Sequence, residues 1–337
     1  MNKLAVIVVA VDSATSLSPA VHRAVALAKA SGATLHFCGF VHDSAIDAAI
    51  GHVHPDVTRR ARHDFIQEHQ RTVARLAADH AGAGFPVECD VMWAPRADEA
   101  MIAKVLDVGA DLFIKDARHE SFLMRALFTP LDWKLMRLLP CNLMLVGPGS
   151  EQKLTRVAAA VDVLAEPTDA DGLNASVVDQ AQRVAEYLRA DLNVVSVFPY
   201  LPVTQPGLDA VGAIDVYELT NTTHLQAYNR FMSSHRVPVD SRTRLVGWPG
   251  ATLADYVKDN GVGLLVLGST YHNAWDRLLL GSTSEWLVQH VDSDVLLVKP
   301  STIAAQIGQV LDLPALRKRH TALQADLPVL EQEGMAA

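Results

Sequence analysis

Apolar residues in this chain gather in short unbroken runs, separated by stretches in which they recur every three or four positions. In the first half the runs are residues 4–11, 34–41, 87–93, 111–115 and 142–146. Runs without alternation belong to strands buried on both faces, and so to a parallel sheet covered by helices. Between the second and third runs, "DVTRRARHDFIQEHQRTVARLAADHA" predicts a long amphipathic helix, with Val57, Ala61, Phe65, Val73, Leu76 and Ala77 on one face. The fold class read from this alternation is α/β, and in such sheets ligands sit at the carboxyl ends of the strands.

The pattern occurs twice. "LAVIVVAVDSATSLSPAVHRAVALAKASGATLHFCGFV" and "RVAAAVDVLAEPTDADGLNASVVDQAQRVAEYLRADLNVVSVFP" share a strand ending in Val-Asp, a polar loop, an Ala-rich helix and a second strand. Asp12 matches Asp162. Further on, "GADLFIKD" matches "GVGLLVLGS", and Trp133 matches Trp286. The preserved order indicates internal duplication. The expected domains are residues 1–149 and 150–300, each a five-stranded parallel-sheet α/β unit, followed by a charged amphipathic tail, 301–337, that packs back on the core or engages a partner. The last strands, "NLMLVG" and "DVLLVKP", would lie at apolar sheet edges, which need a partner.

Composition narrows the function. The formal charge is −9, against a nucleic-acid groove and against anionic membrane surfaces. No apolar run reaches bilayer-spanning length, and "MNKLAVIVVAVD" reads as a buried strand rather than a signal peptide. Cys38, Cys89 and Cys141 form neither a disulfide frame nor a zinc motif and suit a reducing cytoplasm.

Candidate chemistry lies at the strand ends. Asp12 and Asp162 would accept hydrogen bonds from a base or ribose, or equally cap their own loops. In the second half Ser282 is expected at a helix N-cap with Glu285 completing a capping box. Gly281 would let a phosphate approach the backbone, and Ser282, Thr283 and Ser284 supply amides and hydroxyls at the positive helix end. In the first half Thr129 and Pro130 open the matching helix, Phe128 replaces the glycine, and Lys115 replaces Gly268. Only the second half keeps the small residues that phosphate contact needs.

The duplicated unit, the strand-ending Asp and the near match to G-x-x-G-x9-G-[ST] resemble the tandem universal stress protein family. The run "KDARHESFLMRALFTPLDWKLMRLLPCNLMLV" is especially similar to its E-type members. The resemblance, over residues 1 to about 300, implies the fold of adenine-nucleotide-binding α/β proteins, with ATP as the cofactor. It also implies an internal pseudo-dimer made by the last strands, with a homodimer of the whole chain as a further option. By position the ATP pattern falls on Gly268, Tyr271, Gly281 and Ser282, with Asp162 toward the base and the Val197 main chain beside it. Tyr271 stands where the family has glycine, so a side chain there would crowd the sugar or phosphates. The resemblance makes roles under oxidative or DNA-damaging stress, in motility or in adhesion, plausible.

Other constellations are weaker. His42, His52 and His54 with Asp43, and His119 beyond the fourth strand, suggest zinc or simply a solvated loop. His63 is expected at the surface and His69 partly buried on the apolar stripe. The sequence lacks G-x-S-x-G, G-x-x-x-x-G-K-[ST] and CxxC. His272 and Asp276 are the only prospective bases near the phosphate loop. The leading expectation is a non-enzymatic small-ligand-binding protein. The alternatives are a slow ATP hydrolase and a carrier or sensor of a metal or an apolar ligand, the last along Phe122, Leu123, Phe128 and Trp133.

Overall fold

The computed structural model describes residues 4–12, 18–50, 52–117, 130–147, 154–164, 172–199, 210–269, 271–274, 277–303, 307–308 and 311–325. Of residues 210–215, 271–274, 277–280, 322 and 325 it describes the backbone only. Two compact units emerge. One comprises Met1–Lys115, Leu138–Pro140 and Ala305–Ala337, the other Asp116–Arg137 and Cys141–Ala304.

The first unit runs β1 (Val6–Val11), α1 (Pro19–Ser31), β2 (Thr34–Val41), α2 (Ser44–Ala48), α3 (Pro55–Asp79), β3 (Val87–Trp93), α4 (Ala97–Val108) and β4 (Leu112–Asp116). Its strands lie in the order β3-β2-β1-β4, all parallel. The unbroken apolar runs behave as expected: Ile7, Val8, Val9, Leu35, Phe37, Phe113 and Ile114 have no exposure. Helix α1 starts where Ser18 Oγ accepts from the Val21 N–H at 3.4 Å, with Pro19 at the first helical position, and stops where Gly32 turns left-handed. On α3 the apolar stripe differs from expectation. Ile66, Val73, Leu76 and Ala77 are buried, but Val57 lies outward and Phe65 packs half-buried on Trp93. Near the start of the helix Thr58, not Val57, is the buried residue, so the covered face is rotated from the expected one.

The second unit contains α5 (Pro130–Leu138), β5 (Asn142–Val146), β6 (Arg156–Ala160), α6 (Leu173–Leu188), β7 (Asp191–Pro199), α7 (Ala210–Ser234), β8 (Arg242–Gly247), α8 (Pro249–Asp259) and β9 (Leu264–Gly268). These are followed by β10 (Tyr271–Ala274), β11 (Arg277–Leu280), α9 (Ser282–His290) and β12 (Asp294–Val298). Its sheet is ordered β5-β12-β9-β6-β7-β8. All neighbours are parallel except β5 and β12, which pair antiparallel through Leu143↔Leu297, Met144↔Leu296 and Leu145↔Val295. The order β8-β7-β6-β9 repeats β3-β2-β1-β4, as the duplicated sequence requires. The two last strands cover each other's apolar edges.

Beyond β12 the charged tail forms α10 (Leu313–Ala325), which packs on α4 and β3 of the first unit. Leu316 is buried there. Gln324 clamps the outer edge of β3: its Oε1 accepts from the Trp93 N–H at 3.3 Å, and its Nε2 donates to the Trp93 carbonyl at 2.9 Å. One side-chain amide thus satisfies two main-chain groups that an edge strand would otherwise present.

Candidate functional site

The parallel register brings the carboxyl ends of β6 and β9 side by side, with Ala160 opposite Leu267, and β12 flanks β9 with Val298 opposite Gly268. Asp162, Gly268 and the start of α9 therefore belong to the same end of the sheet. Asp162 Oδ1 accepts from the Leu164 N–H at 3.1 Å, so the carboxylate shapes its own loop. Asn174 brackets the same residue, accepting from its N–H at 3.2 Å and donating to its carbonyl at 2.9 Å.

The start of α9 differs from expectation. The N-cap is Gly281, in extended conformation, and Ser282 is the first helical residue. No side chain caps the helix, so the capping box of Ser282 and Glu285 does not form. Glu285 turns to Arg137 on α5 instead, with Nη2 to Oε1 at 3.0 Å. Ser284 is buried and donates from Oγ to the Gly268 carbonyl at 3.1 Å, tying α9 to the end of β9. Ser282 and Thr283 are exposed. The first turn thus offers amides that no N-cap side chain occupies, with one hydroxyl spent on the scaffold.

Gly268 has a packing reason of its own. A Cβ there would lie 2.9 Å from Leu173 Cδ2 and 3.0 Å from Leu173 Cγ, where α6 crosses the strand end. Tyr271 opens a short antiparallel hairpin, β10 with β11, and pairs with Leu280. The sequence reading had only a turn and loop here. Four-residue strands with no apolar alternation fall below what periodicity detects. His272 lies in this hairpin; Asp276, Thr129, Phe122, Leu123, Phe128 and His119 lie outside the described residues.

Val197 sits in β7, and its carbonyl faces His224 of α7 closely enough to bear on the imidazole pKa. His224 is buried. Its Nδ1 accepts from Arg244 Nε at 3.0 Å, which leaves the ring proton on Nε2, 3.4 Å from Ser196 Oγ. Burial lowers the His224 pKa, Arg244 lowers it further, and Asp162 and the Val197 carbonyl oppose this. Arg244 also donates to Asn221 Oδ1 and lies over the Phe198 ring at 5.3 Å. This buried polar group, like Arg137, escaped the sequence reading. Its members come from α7, β7 and β8, and no local spacing links them.

On the first unit, His42 Nε2 contacts Asp47 Oδ2 at 2.7 Å, while His54 caps α3 and is exposed, as is His52. Among the described residues no three His, Cys, Asp or Glu side chains converge as a metal would need. His69 is half-buried and its Nδ1 donates to the Phe65 carbonyl at 2.7 Å. Among the described residues no helix is long and apolar enough to cross a membrane.

Comparison with known proteins decides the family. The family profile described as "Universal stress protein family" matches residues 4–147 and 164–299. The chain belongs to the universal stress protein family. As a tandem universal stress protein it is similar to Universal stress protein E of Escherichia coli K12, with 25% identity over 298 residues, 87% of this chain and 93% of that one. The Haemophilus influenzae homolog of that protein is 24% identical over 245 residues, 70% of this chain and 77% of its own. Among solved structures, a functionally unknown protein of Pseudomonas aeruginosa PAO1 shares the fold with a TM-score of 0.71 at 20% identity, over 95% of this chain and 98% of that one. A putative universal stress protein of Pseudomonas aeruginosa UCBPP-PA14 shares it at 0.71 and 21%, over 91% and 97%. Both halves of the universal stress protein reading, the tandem domains and the largely parallel sheets, are therefore in place.

Proposed function

We propose that this stress-response protein binds an adenine nucleotide, ATP, in its second half and acts through binding rather than turnover. The phosphates would lie on the start of α9, at Gly281, Ser282 and Thr283. Gly268 and Tyr271 would flank them, and Asp162 and the Val197 main chain would face the base and ribose. One observation carries the reading: α9 begins at a glycine with no capping side chain, so its first-turn amides and its dipole remain available to an anion. The Arg137–Glu285 pair supports it by offsetting the one acidic side chain of that turn.

The test uses a substitution that the first half already carries, where Pro130 opens α5. Ser282→Pro removes one amide donor at a position where proline suits a helix. The expected result is unchanged folding and an ATP affinity reduced about tenfold, the worth of one charge-assisted hydrogen bond. Calorimetric titration measures it, with Gly281→Trp expected to abolish binding. Mass spectrometry of material released from the purified protein should show an adenine nucleotide. If the parent protein takes up no ATP at millimolar concentration, the nucleotide reading fails.

A further inference from the structure

We propose that the first unit holds the oxyanion of a small molecule, a carboxylate or a phosphate, on the Nε–H of Arg62 and the indole N–H of Trp93, where α3 crosses the ends of β2 and β3. Both donors are buried and neither has a hydrogen-bond partner among the described residues. They are neighbours, because the Arg62 guanidinium lies over the Trp93 ring, 5.3 Å from its centroid. Leaving a buried donor unsatisfied is costly, and two at one corner are uncommon in a packed protein.

Asp47 and the Trp93 main chain are already engaged, which narrows what is missing. Asp47 accepts from Arg62 Nη2 at 2.6 Å and contacts His42 Nε2 at 2.7 Å. Burial pushes the Asp47 carboxyl up, but the hydrogen bonds from Arg62 and His42 outweigh it, so its pKa falls below the usual value. The carboxylate thus holds one edge of the guanidinium and leaves Nε–H over. Trp93 is fixed from behind by the two Gln324 hydrogen bonds to its main chain. Phe65 meets the indole edge-on with centroids 5.9 Å apart, and His42 does so at 5.3 Å. The site is a rigid, aromatic-walled corner with two spare donors.

Donors call for an acceptor. Arg62 shares its charge with Asp47 and Arg59 pairs with Asp56 at 3.4 Å, while Arg60 is exposed on the same helix, so the call for an acceptor rests on the two N–H groups rather than on net charge. A metal ion is excluded by the same chemistry, since neither N–H has a lone pair to give. All of these residues lie in the first unit, so the inference stands or falls separately from ATP binding in the second half.

The experiment is a titration of the full-length, nitrogen-15-labelled protein with sodium acetate and, separately, with inorganic phosphate, with sodium chloride holding ionic strength constant. The Trp93 indole N–H resonance, assigned by triple-resonance spectroscopy, is expected to shift saturably. The indoles of Trp133, Trp248, Trp275 and Trp286 should not follow it. Whichever anion saturates at the lower concentration identifies the group as carboxylate or phosphate. Arg62→Lys keeps the charge and loses the Nε–H, and is expected to weaken the midpoint about tenfold. The proposal is overturned if neither anion gives a saturable shift, or if Arg62→Lys leaves the midpoint where it was. It is also overturned if a long-lived water at the Trp93 indole persists through both titrations.

Discussion

Replacing Lys299 by methionine is expected to leave the protein at least as stable near pH 7 but less stable near pH 10. Lys299 follows β12, is buried, and donates from Nζ to the Met136 carbonyl. Burial pulls its pKa from 10.5 down to about 7, opposed in part by Cys141. Between those two values the unfolded chain keeps a proton that the folded chain has released. Stability therefore rises with pH across that window, and the full penalty is present below its lower end. The shift corresponds to an order of magnitude of about 5 kcal/mol. Methionine removes the penalty and fills similar volume, but leaves the Met136 carbonyl without the Lys299 Nζ donor, at about 1–3 kcal/mol. The difference between the two proteins should thus change sign as pH rises. Urea unfolding at several pH values from 7 to about 10 measures it. A difference that does not vary with pH would show that Lys299 keeps an ordinary pKa in the folded chain.

Gly268→Ala is expected to cost about 1–3 kcal/mol with no ligand present, the usual penalty for an extra carbon in a filled site. The new methyl would press on Leu173 at 2.9 Å and on Val177 at 3.4 Å. Leu173→Ala makes room but empties a buried site of its own, so the double variant should lose less than the two single variants together, a coupling expected of residues in contact. This pair separates two uses of one glycine. Because the Cβ would point to α6, the effect of Gly268→Ala on ATP affinity is expected to be smaller in the Leu173→Ala background. Should the stability effect shrink there while the loss of ATP affinity does not, the phosphate itself needs the bare Cα. Urea unfolding and calorimetric titration on the same four proteins give both answers.

Gly268 also shows how far the sequence could be read. The glycine stood out, yet its reason lies in α6, far away in the chain, so no local pattern could supply it. What was legible was periodic or repeated: the buried parallel strands, the matched Asp12 and Asp162, and the long helices. That the last strands pair came from the family resemblance, and their antiparallel sense came from the structure alone. What was not legible depended on single contacts. The N-cap of α9 is Gly281 rather than Ser282, and Glu285 is spent on Arg137 from another element, so the capping box lacks one of its two partners. The hairpin of β10 and β11 was hidden by its brevity. His224 and Arg244 meet across three elements, and the orphan donors of Arg62 and Trp93 are defined by what does not touch them.

The place of β5 carries a consequence for how the gene can be divided. In sequence this strand closes the first repeat; in space it is hydrogen-bonded along β12 in the sheet of the second unit. A fragment beginning at the second repeat would leave β12, whose five residues are all buried, without its neighbour. The second repeat therefore depends on the first for the strand beside β12. Covalent linkage between the repeats fixes that contact, so it does not vary with protein concentration.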